Sequence, residues 1–127
     1  MASRRERITA ILDAFVTESS AGVAGAAAVD MDGFVIGAHA AAGIEIECVG
    51  AAAVELLGVA RRIHNELHLG QLEEAILEAE LGTFMILPVG ARSLLAISLR
   101  DNANLGLVRV EARAIARAVH ACVYDRQ

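Results

Sequence analysis

With 127 residues, 56% of them hydrophobic, the chain has the length and apolar content of one globular domain and is too short for two. Its formal charge of −5 has the wrong sign for neutralising a phosphate backbone, so nucleic acid is not an expected partner. All eleven basic residues are arginine, and without lysine there is no Walker phosphate clamp, Schiff-base amine or kinase-type ion pair.

No apolar run approaches the ~20 residues that span a bilayer, and the N-terminus enters an amphipathic pattern without a signal-type stretch, so membrane insertion is not expected and the expected compartment is the cytosol. Cys48 and Cys122 are far apart among aliphatic residues, which reads as two buried reduced thiols rather than a disulfide framework.

In chain order, Ser3 and Glu6 form a capping-box pattern, and Ile8, Ile11, Leu12, Phe15 and Val16 then recur on one helical stripe. The apolar runs 23–29 and 34–38 flank Asp30-Met-Asp-Gly33 and predict a hairpin. From Ile46 to Leu69 the spacing is helical again, with Val49, Ala53, Leu56, Ala60, Ile63 and Leu67 as the expected core stripe. The opposite face carries Ala51, Val54 and Gly58 before Arg61, Arg62 and Asn65. A mid-helix glycine costs about 1 kcal/mol relative to alanine. Gly58 therefore reads either as drift within an alanine-rich sequence or as the mark of a helix covered on both faces.

Gly70 is expected to stop this helix. Propensity favours helix for Gln71 to Leu81, but Ala75, Leu77, Ala79 and Leu81 alternate with Glu74, Ile76, Glu78 and Glu80, which predicts an edge strand. The runs 83–89 and 93–99 around Pro88-Val-Gly90 complete a three-stranded meander. After Asp101-Asn-Ala-Asn104, a region rich in N-cap oxygens, Leu105, Val108, Ala112, Ile115, Val119 and Cys122 predict a closing helix. The expected fold is α/β of the α+β kind, αββαβββα, with one five-stranded antiparallel sheet flanked by three helices.

The chemistry-bearing motifs are few. Asp30-x-Asp32-Gly33 begins like a calcium loop, but Phe34 and Ala41 stand where oxygen ligands are required, so a turn is expected. His64 and His68 at i and i+4 have a spacing that can hold zinc, although neither metalloprotease pattern is met. Imidazoles stabilising a helix C-terminus are the preferred account of them, and no metal site is expected. Nucleotide-binding glycine loops and a nucleophile elbow are missing from the sequence. No enzyme activity, cofactor or catalytic residue is therefore expected. Arg61, Arg62 and Arg92 read either as solvated arginines or as contacts to an anionic group on a partner, an arginine finger included.

The element order, with the stretches Ala26 to Gly37, Phe84 to Gly90 and Asn104 to Glu111, resembles the Roadblock (dynein light-chain) family over nearly the whole chain, in its bacterial MglB-like branch. The resemblance implies a longin- or profilin-like domain that dimerises through its third strand, with the second helices side by side. Carried onto this sequence, the implied dimer surface uses Ala51, Val54 and Gly58 of the helix and Leu72, Ala75, Leu77 and Ala79 of the pairing edge. Arg61, Arg62 and Asn65 are then candidate partner contacts.

The implied partners are a second copy or a related Roadblock protein, and a small Ras-like GTPase whose hydrolysis such proteins stimulate. A passive scaffold for a motor or signalling complex, or a small-molecule sensor, are the rival expectations. The alanine-rich, lysine-free composition points to a prokaryotic source.

Overall fold

The computed structural model describes residues 1–124. Helix α1 (Arg4–Glu18) starts where the capping box demands: the Ser3 hydroxyl accepts from the Glu6 amide at 3.1 Å and the Glu6 carboxylate accepts from the Ser3 amide at 3.3 Å. Strands β1 (Val23–Asp30) and β2 (Val35–His39) form the expected hairpin. One Asp30 carboxylate oxygen accepts from the amides of Asp32 and Phe34, both at 3.0 Å, which makes the stretch a closed Asx turn.

Helix α2 (Ile46–Glu66) is followed by β3 (Ala75–Ala79), β4 (Gly82–Val89), β5 (Ser93–Arg100) and α3 (Leu105–Val123). The Asn104 side chain caps α3 by accepting from the Leu107 amide at 3.1 Å.

The five strands form one antiparallel sheet in the order β2-β1-β5-β4-β3, which leaves β2 and β3 as its edges. Side chains alternate between its two faces. On one face α1 and α3 pack Ile8, Leu12, Phe15, Val108 and Val119 against Met85, Leu95 and Ile97. On the other, Ala53 and Leu57 of α2 pack against Ala27, Val29, Ile86, Leu94 and Ala96.

Several sequence expectations are corrected. The buried stripe of α2 is Gly50, Ala53, Leu57 and Ala60, one position round from the expected one, so Ile63 and Leu67 are exposed rather than core. Leu56 and Leu57 are adjacent and equally apolar, and periodicity alone chose the wrong member. The helix also ends at Glu66, three residues before the expected limit. His68 lies beyond it with φ of 55°, so His64 and His68 do not share a helical face.

Strand β3 is shorter than Gln71 to Leu81, because the chain joins the sheet only at Ala75, opposite Ile86. Ile76 lies on the opposite face from Ala75, as the alternation predicts, and packs against the α1–α3 side of the sheet. Finally, both cysteines are free, but Cys48 is exposed and only Cys122 is buried.

Candidate interaction surface

Strand β3 pairs with β4 along one side only, and its other side is a free sheet edge. The register places Ala75 opposite Ile86 and Leu77 opposite Phe84, so both face the α2 side of the sheet. Ala75 and the preceding Leu72 are half-buried against the α2 core, whereas Leu77 is 53% exposed and Ala79 is exposed. Helix α2 lies over β1, β2, β4 and β5. Beside its first turns an apolar recess of about 360 Å3 stays open, lined by Ala26, Ala41, Ile44, Val49, Phe84 and Ala96.

The solvent side of α2 continues this apolar surface. Val59 is 45% and Ile63 49% exposed, and Leu56, on the same flank, is half-buried. The sequence-derived contacts lie on the other flank or along the edge: Ala51 and Gly58 are exposed, and Val54 is half-buried against the second core cluster. An added Cβ at Gly58 meets nothing within 4 Å, so no group among the described residues explains a glycine there. Of the two glycines in α2, Gly50 is the one in close contact, since a Cβ there stands 2.8 Å from the Gly33 carbonyl oxygen. Sequence reading missed it because glycine carries no apolar signal.

Of the candidate polar contacts, Arg61 is half-buried and Arg62 and Asn65 are exposed, all near the end of α2. Arg92 stands apart from them. Its guanidinium lies 5.1 Å from the centre of the Tyr124 ring, which is stacked on His120, and its backbone amide donates to the Tyr124 hydroxyl at 2.9 Å. That hydroxyl donates in turn to the Val89 carbonyl at 3.1 Å. Burial works to raise the Tyr124 pKa, but the Arg92 amide together with Ser93 and the Arg92 guanidinium outweighs it, and the phenol ionises below its ordinary 10.0.

The glutamates of the edge are partly committed. Glu74 pairs with Arg109 of α3 at 2.7 Å, so the arginine that faces it belongs to its own chain. Among the described residues, no group of three or more metal-ligating side chains is gathered, and no helix is long and apolar enough to cross a membrane.

The sequence pattern of the Roadblock/LC7 domain matches residues 15–99, from the end of α1 to the end of β5. The chain belongs to the Roadblock/LC7 family.

An uncharacterized protein of Methanocaldococcus jannaschii is 31% identical over 100 residues, covering 79% of this chain and 87% of its own. Among solved structures, the gliding protein MglB of Thermus thermophilus superposes with a TM-score of 0.82 at 17% identity, over 96% of this chain and 92% of that one. An MglB solved in a tetrameric arrangement gives 0.84 at 18% identity, over 96% and 91%. At such identities the shared property is the fold, and this Roadblock/LC7 chain has the same three helices and five-stranded antiparallel sheet.

Proposed function

We propose that this Roadblock/LC7 chain is a non-enzymatic, self-associating regulator that docks a small Ras-like GTPase. The observation that carries the reading is the unpaired edge of β3, with Leu77 exposed, next to an α2 whose outer surface bears Val59 and Ile63. An open edge beside exposed apolar side chains is a liability in a lone chain and an asset in a pair. Two copies joined edge to edge through Ala75, Leu77 and Ala79, flanked by Leu72, extend the sheet across both chains. The α2 helices then meet through the face bearing Ala51, Val54 and Gly58. The tetrameric arrangement of an MglB with this fold is in keeping with association between copies.

Arg61, Arg62 and Asn65 stand at the far end of the same helix and form the docking contacts for the GTPase. The fold offers them as charged and polar contacts rather than as a catalytic set. The test is to mix the purified chain with the small Ras-like GTPases encoded in its genome and to measure binding and GTP turnover. Binding with a changed turnover rate supports the reading. Binding with unchanged turnover makes the protein a passive scaffold, and the absence of binding to every candidate contradicts it.

A further inference from the structure

Where α2 ends and the chain approaches β3, two recesses share Arg61, Gln71 and Leu72 and so form one groove. One part, about 500 Å3, is lined by His64, Asn65 and His68. The other, about 720 Å3, lies between the β4–β5 turn and α3 and brings in Arg113 and Arg117 with Pro88 and Ala116. Among the described residues its single carboxylate is Glu73, 3.9 Å from Arg113, too far for a hydrogen bond and a weak offset at that exposure.

Arg61 and Arg117 have no ion-pair or hydrogen-bond partner among the described residues, and the Nδ1 of His64 is shielded from solvent without one. A chain of net charge −5 thus gathers three arginines from α2 and α3 around one concavity. Concave walls of low dielectric focus such a field locally while the molecule as a whole stays acidic.

We propose that this groove binds a short acidic peptide segment of a partner protein, its carboxylates engaging Arg61, Arg113 and Arg117. The planar guanidinium takes carboxylates in a two-bond fork, which suits a spaced series of acids. Pro88 and Ala116 supply apolar wall for the aliphatic side chains between them. The net charge disfavours long polyanions and anionic membranes, whose field reaches the whole surface. This goes beyond the GTPase-docking reading and does not rest on it. Arg61 belongs to both surfaces, whereas Arg117 belongs to the groove alone.

The test uses a fluorescein-labelled Glu-Leu-Glu-Glu-Leu-Glu peptide, titrated with the full chain at low ionic strength and followed by anisotropy. Arg61→Gln and Arg117→Gln are each expected to weaken binding about tenfold, the effect of one lost charge-assisted contact. Arg100→Gln, at the other end of β5, removes the same charge and is expected to change nothing. No measurable binding overturns the proposal. Equal weakening by all three variants overturns it too, since net charge then accounts for the attraction. So does displacement of the peptide by micromolar inorganic phosphate, which makes the groove a small-anion site. The solution mass of each variant separates loss of the groove from loss of pairing between copies.

Discussion

Gly50 of α2 rests against the backbone of Gly33 in the β1–β2 turn, so closely that a Cβ on Gly50 would stand 2.8 Å from the Gly33 carbonyl oxygen and 3.1 Å from a Val35 methyl. This contact sets how near the helix can approach the sheet. Gly50→Ala gains up to about 1 kcal/mol of helix propensity. It also forces backbone apart, and overpacking of that kind costs about 1–3 kcal/mol. The expected outcome is a net loss of stability of about 1 kcal/mol, read by urea denaturation. A stabilised variant would mean that the helix sits higher.

The orientation of α2 is tested by its adjacent leucines. Leu57 is fully buried among Ala27, Val29 and Leu94, while Leu56 is only half-buried. Leu57→Ala is expected to cost about 2–4 kcal/mol, within the range for cavities in packed cores, and Leu56→Ala clearly less. Equal losses would contradict the rotation described.

Tyr124 is the single tyrosine of the chain, which contains no tryptophan, so phenolate absorbance reads its titration directly. Its midpoint is expected below 10.0. A depressed pKa contributes stability that is present above the unfolded value and is lost as pH falls through the folded one. The effect is thus confined to alkaline pH and absent at neutrality. At pH 7 the hydroxyl acts through its hydrogen bonds with Val89 and Arg92, and Tyr124→Phe is expected to cost about 1–2 kcal/mol.

Gly58 has open space around it, so Gly58→Leu is expected to leave the isolated fold as stable as before or slightly more stable, because leucine is the better helix former. In the proposed pair the same side chain meets the partner helix. Association is expected to weaken about tenfold, the size of a modest packing clash, as read by sedimentation equilibrium. Leu77→Asp on the free edge is expected to weaken it at least as much.

Much of the fold was legible in the sequence because local chemistry and global packing agree. Ser3 with Glu6, Asn104, and Asp30 before Gly33 each satisfy backbone groups at the place where an element starts or turns. Legibility failed where neighbours were chemically alike or where contacts cross the chain. Leu56 and Leu57 are indistinguishable by hydropathy, and Gly50 is defined by Gly33, well before it in sequence.

The candidate surface was half legible. The alternation of β3 gave Leu77 and Ala79, but Val59 and Ile63 followed from the rotation of α2. The convergence of Arg61, Arg113 and Arg117 depends on how α2 and α3 meet the end of the sheet, which no spacing along the chain encodes.

The central claim is that two copies pair through β3 and α2, and solution mass by light-scattering chromatography across a concentration series tests it most directly. The account predicts a species of twice the 13.3 kDa chain mass that persists on dilution and shifts to the single-chain mass with Leu77→Asp. A wild-type chain that stays monomeric at the highest concentration would contradict it.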